Sequence, residues 1–240
     1  MSLSGRRVRA IVRKELRDYR RNRSLVVTMA IFPLIFLIQP LIVVLRTPES
    51  SSATLGQMHL LLYMLAIPVL VPAAVAASAV AGERQQGSLE PVLTTPMRRE
   101  EFLLGKALAA LIPSIAIAYA VFAVFIAGAV LFAERAVASA ILKGPDILAQ
   151  LLFTPLLACL SIWIGIGIST RSSDVRVAQQ LSLLGCLPAV ALTSLIAFDV
   201  IHATLGLALG LGAVLVLADA IGWGMVSPMF DRERLITGTR

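Results

Sequence analysis

The sequence predicts an all-α, polytopic membrane protein with six transmembrane helices, both termini in the cytoplasm, and an N-terminal amphipathic interfacial helix. Three observations predict it. Hydrophobic residues make up 58% of the chain and charged residues 15%, far from the mix of a soluble domain. Six apolar runs, at about 25–45, 59–82, 107–132, 148–170, 177–198 and 204–226, each reach the ~20 residues that cross ~30 Å of hydrocarbon. The bases are also divided unequally. With the N-terminus inside, 18 of the 21 Lys and Arg fall on the inner side, and only Arg46, Arg135 and Lys143 fall outside. That asymmetry orients the chain.

The elements follow in order. Residues 5–22 read as an amphipathic helix, with Val8, Ile11, Val12, Leu16 and Tyr19 on one face and Arg6, Arg9, Arg13, Arg17 and Arg20 on the others. Such a helix lies in the membrane surface with its arginines among anionic headgroups, and the same bases serve as a topology signal. The run from 25 to 45 is too long for the core of a cleavable leader, and no good small-x-small site follows it, so it reads as a retained span. Each of the first five spans holds proline: Pro33 and Pro40, Pro68 and Pro72, Pro113, Pro155, and Pro188. Each frees a carbonyl that a neighbour must satisfy, which predicts kinked, mutually packed helices.

Small residues recur at four-residue spacing as Ala73, Ala77 and Ala81; Ser161, Gly165 and Ser169; and Gly206 and Gly210. These predict close helix approach, within the subunit first and at a dimer seam second. Residues 46–58 are rich in Ser and Thr without motif character. Residues 133–147 predict a short surface helix ending near Gly144-Pro145. Between the fifth and sixth spans either the connection is brief or Pro188 ends a shorter fifth span, leaving 189–203 as a separate element.

Several function classes fall away. A pI of about 10.2 in a soluble protein would suggest nucleic acid, but the bases sit on one side of a membrane, so no nucleic-acid partner is expected. Cys159 and Cys186 lie within spans and read as small packing residues. His59 and His202 sit at the outer ends of different helices without a second ligand nearby in sequence. Gly105-Lys106 is followed by Ala107 and lacks the glycine of a phosphate-binding loop. No nucleophile elbow or zinc-protease helix appears. The expectation is a chain that is not an enzyme, with no catalytic, metal or cofactor residues of its own.

The segment 83–106 is different. "GERQQGSLEPVLTTPMRREEFLLGKAL" (82–108) places charges and two prolines between two long apolar runs. It resembles the first cytoplasmic loop of ABC transporter permeases of the type-2, exporter-like class. The resemblance rests on Glu83-Arg84, Gly87-Ser88-Leu89-Glu90, Thr95-Pro96, Arg98 to Glu101, and Gly105-Lys106. "RKELRDYRRNRS" (13–24) is similar to that family's entry helix and "MFDRERLITG" (229–238) to its tail, so the likeness covers residues 1–240 as a single permease domain.

What the resemblance implies is a half-transporter in a plasma membrane. It implies a second permease subunit, identical or related, and separate ATPase subunits that carry ATP and magnesium. The ATPase would dock on a coupling helix in this loop, at Glu83, Arg84, Gly87, Ser88, Leu89, Glu90, Thr95, Pro96, Arg98, Arg99, Glu100 and Phe102. Pro91 and Pro96 leave room only for a short helix between or after them. The clustered charges suit register with a partner, and Leu89, Val92, Leu93 and Phe102 supply anchors.

Within the spans, Asp219 and Gln39 are candidates for a pathway or coupling role. A carboxylate at the bilayer centre costs about 2.5–3.5 kcal/mol on insertion scales, so Asp219 must face protein or water. The favoured reading is a hydrogen-bonded packing residue near the inner interface. Gln39 is expected to repair backbone bonding beside Pro40. The walls are mostly Ala, Leu, Val and Ile, which suits an amphiphilic or apolar cargo. The alternative function is a membrane scaffold or sensor that recruits an ATPase without moving a substrate.

Overall fold

The computed structural model describes residues 4–85 and 98–230, and those residues form helices and turns without a strand. Helix α1 (Gly5–Arg21) leads into α2 (Arg23–Arg46) at Asn22, whose side chain accepts a hydrogen bond from the Leu25 N–H. A 3₁₀ turn (Glu49–Ser51) and α3 (Ser52–Gln57) cover the far end. Then α4 (Leu60–Tyr63) passes through a 3₁₀ turn (Met64–Ala66) into α5 (Ile67–Gln85). That turn has a local cause. Pro68 has no N–H for the Met64 carbonyl, so the Ile67 N–H takes it instead and the helix tightens.

Helix α6 (Arg99–Phe132) is the longest. It is followed by α7 (Arg135–Ile141), α8 (Gly144–Arg171), α9 (Val175–Ala197), α10 (Leu205–Val226) and a last 3₁₀ turn (Ser227–Phe230). The expected surface helix near 133–147 is α7. Gly144-Pro145 opens α8, because proline is tolerated in a first helical turn. Helix α9 runs through Pro188 without ending. It stops at a C-terminal cap in which Asp199 takes φ 56° and the Asp199 and Val200 N–H groups donate to Ile196 and Leu195 oxygens, both at 3.0 Å. The connection between the fifth and sixth spans is therefore a turn.

Six helical stretches are long and apolar enough to cross a membrane: Leu25–Arg46, Leu60–Gln85, Arg99–Phe132, Gly144–Arg171, Val175–Ala197 and Leu205–Met229. The second is enclosed by the others, while the sixth has no buried residue in its most apolar stretch and packs mainly on α8. Leu34, Ile35 and Ile38 on α2 and Leu209, Val216 and Leu217 on α10 are exposed, as side chains facing lipid must be.

Two of the three small-residue stripes meet inside the subunit. A Cβ on Gly165 would lie 2.8 Å from the Ala73 carbonyl oxygen and 2.9 Å from the Ala76 Cβ. One turn on, Ser169 Oγ accepts from the Val80 and Ala81 N–H groups, both at 3.0 Å. Gly206 and Gly210 meet nothing within 4 Å. A side chain repairs another proline site: the Tyr119 hydroxyl on α6 donates at 2.8 Å to the Leu151 carbonyl, the group that Pro155 leaves without its helical N–H.

Helix α1 has the predicted amphipathic pattern. Its arginines at 6, 9, 13, 17 and 20 are exposed, but its apolar stripe is covered by protein. Ile11 and Tyr19 join Val75, Ala79, Phe102 and Leu103 in one core cluster. Gly105 permits the approach, since a Cβ there would lie 2.7 Å from Ile11 Cγ2.

Candidate functional site

The helix ends sort into two groups. One end of the bundle gathers α1, the end of α5, the starts of α6 and α9, and the end of α8, and is called here the basic end. The other gathers α3, α4, α7 and the start of α8. There His59 Nδ1 donates to both oxygens of Asp146, at 2.8 and 3.0 Å, and the His59 backbone N–H donates to the Ala197 carbonyl at 2.8 Å. His59 thus has a partner 87 residues away, which no local reading would find.

At the basic end the charges lock the helices together. Lys106 on α6 is fully buried, and its Nζ lies 3.1 Å from Glu15 Oε1 on α1 and 3.1 Å from Glu83 Oε1 on α5. The ammonium also sits 5.0 Å from the centre of the Phe102 ring. Lys14 completes the group from its half-exposed position, 2.9 Å from Glu83, 3.3 Å from Glu15 and 3.9 Å from Asp18. Burial draws the Lys14 ammonium down, but its hydrogen bond to Glu83 and the Glu15 and Glu83 charges outweigh this and hold it above the ordinary lysine range. Two buried carboxylates and two ammonium groups therefore compensate one another's charge, as buried charges must.

Two further clamps flank this cluster. Glu101 is buried and accepts from the Ser4 N–H at 2.8 Å, the Arg98 N–H at 3.3 Å and Arg7 Nη1 at 3.3 Å. One carboxylate thereby serves the N-terminal ends of both α1 and α6, where negative charge is favoured. Arg84 at the end of α5 donates to the Ser172 and Thr170 carbonyls, at 2.9 and 3.2 Å, and so closes the C-terminal end of α8.

The predicted docking residues divide accordingly. Gly87, Ser88, Leu89, Glu90, Thr95 and Pro96 lie outside the described residues, as do Val92 and Leu93. Glu83 and Arg84 lie in the last described turn of α5 and are engaged with other helices. Arg98 precedes α6; Arg99 and Glu100 pair at 3.0 Å on the surface. Phe102 is placed in the core at 6% exposure. The described parts of 83–106 are helical apart from Arg98, because α5 extends to Gln85 and Glu101 starts α6 at Arg99.

Asp219 lies on α10, half-buried and within electrostatic reach of Cys159 on α8. Its Oδ1 is buried and meets no hydrogen-bond partner among the described residues. One turn on, Trp223 packs edge-on against Trp163 at 5.7 Å. Gln39 is on the exposed face of α2. The cluster around Lys106 is what sequence reasoning missed. The available signal was Glu15, which falls in register with Ile11 and Tyr19 on the buried face of α1.

No curated protein matches the chain. The family described as ABC-2 family transporter protein matches over residues 9–210. With six membrane-spanning helices in this order, the chain belongs to that family and is a permease of the ABC-2 type.

Proposed function

We propose that this chain is the membrane-spanning subunit of an ATP-driven exporter in a plasma membrane. It forms the pathway as a dimer with a second permease and receives work from separate ATPase subunits, which carry ATP and magnesium. The basic end faces the cytoplasm, together with both termini. The ATPase docks on the segment between α5 and α6, where Arg99 and Glu100 present both signs of charge.

One observation carries the reading. Both sides of residues 86–97 are clamped to other helices, by Arg84 to α8 and by Glu101 and Lys106 to α1. A push on this segment therefore reaches α1, α5, α6 and α8 together. A permease that receives its work as movement needs such a joint, because a ligand or motor shifts an equilibrium only through what it binds differently in the two states.

The test is reconstitution. Purified permease in vesicles should show no ATP-dependent flux alone and should gain it with its ATPase. Reversing the charges at Arg98, Arg99 and Glu100 should reduce ATPase co-purification and flux together, by tenfold or more. Flux from the permease alone would refute the half-transporter, and docking without flux of any cargo would favour a scaffold.

A further inference from the structure

The basic end holds a cavity of about 500 Å³ between α1, the start of α2, the end of α5 and the start of α9. That is a size suited to a small organic molecule. Its lining is charged on one side. Glu15, Asp18, Glu83 and Asp174 face it, against Lys14 and Arg176, with Lys106 behind Glu15 and Glu83. The other side is apolar, from Leu25, Ala79 and Val175. Tyr19 also lines it. This side chain is 7% exposed, and its hydroxyl is buried without a hydrogen-bond partner among the described residues. A buried hydroxyl left so calls for a partner.

The two lysines differ in freedom. Lys106 is held in place, because its side chain has no exposure. Lys14 is half-exposed, and its long stem can swing its ammonium into solvent. Its departure would take a close counter-charge from Glu83, Glu15 and Asp18. The vacated position, ringed by carboxylates and next to an apolar wall, suits another ammonium. Leu25 and Val175 each stand at the start of a span, so the cavity lies at headgroup level. Val26 on α2 and Val177 on α9 continue outward from it as exposed apolar side chains.

We propose that this cavity is a binding site for amphiphilic alkylammonium ions, with Lys14 as a resident ammonium that the ligand displaces. The ligand's N–H groups bond Glu83 and Asp18, one N–H finds the Tyr19 hydroxyl oxygen, and the apolar body lies against Leu25 and Val175. This names a cargo class for the exporter and in that respect rests on the transport reading. The binding itself does not.

The experiment uses the purified full-length chain in nanodiscs and the fluorescent amine monodansylcadaverine, whose pentylammonium arm resembles a lysine side chain. Dansyl-6-aminohexanoate, a near-isostere ending in a carboxylate, is the control, and empty nanodiscs give the lipid background. Saturable binding of the amine but not of the carboxylate is expected. Lys14→Ala should tighten amine binding at least fivefold by removing the competitor, while Asp18→Asn and Tyr19→Phe should each weaken it threefold or more. Equal binding of both probes, or an amine affinity that Lys14→Ala leaves unchanged or weakens in a folded protein, would overturn the proposal. If Lys14→Ala does not fold, Asp18→Asn decides, since its side chain is half-exposed; an unchanged affinity there overturns it. Amine binding with this pattern but no ATP-driven flux of anything would sink the exporter reading and leave the site. Flux of another cargo without amine binding would do the reverse.

Discussion

Lys106 shows what a single residue does at the basic end. Replacing it by methionine keeps most of the volume but removes a fully buried cation from beside Glu15 and Glu83. Breaking a buried ion pair by deleting one partner typically costs about 3–5 kcal/mol, because the remaining charge stays desolvated. Lys106→Met should therefore lower stability by about that amount, read by unfolding in a denaturing detergent. The triple variant Lys106→Met, Glu15→Gln, Glu83→Gln should recover much of the loss. A single variant as stable as the wild type would show that the cluster contributes little. Asp219 is the opposite case, a carboxylate within a span whose Oδ1 has no donor among the described residues.

At the scale of elements, proline and its repair form a unit that a double-mutant cycle can isolate. Tyr119→Phe leaves the Leu151 carbonyl without the hydroxyl that reaches it, while Pro155→Ala restores the helical N–H. Interhelical hydrogen bonds in membranes average about 0.6 kcal/mol and rarely exceed ~1.7. Tyr119→Phe should thus cost about 0.5–2 kcal/mol with Pro155 present and close to nothing with Pro155→Ala; equal losses in both backgrounds would dissolve the link. The spans themselves were legible, since apolar length alone locates them, and the Ala73 and Gly165 stripes followed from small-residue spacing. Element ends were not. Helix α5 runs on to Gln85 and α6 begins at Arg99 because Arg84 and Glu101 find partners on other helices, and such partners have no local signature. The burial of α1 was half legible. Its stripe was plain, but whether lipid or protein covers it depended on Gly105, ninety-odd residues away, lacking a Cβ.

For the whole molecule, the question is how movement at one end reaches the wall of a pathway. The enclosed span α5 touches α2, α6, α8 and α9, so it cannot shift without moving its neighbours. Its close approach to α8 at Gly165 leaves no room for sliding in small steps. Arg84 joins those two helices at the basic end, where the guanidinium spans the Thr170 and Ser172 carbonyls. Arg84→Ala removes that tie and leaves the surface pair of Arg99 and Glu100 in place. If the clamp transmits work rather than merely holding the loop, this variant should still co-purify with the ATPase, and the complex should still hydrolyse ATP. Its cargo flux per ATP should fall by about tenfold, equivalent to ~1.4 kcal/mol of lost bias between states. Arg84→Lys should recover only part of the coupling, because a single ammonium does not match the fork that holds two carbonyls at once. Flux per ATP unchanged in Arg84→Ala would mean that work reaches the bundle by another route, through Lys106 and α1. The companion variant Gly105→Ala, which pushes Ile11 and with it α1 away from α6, would then be the one to lose coupling.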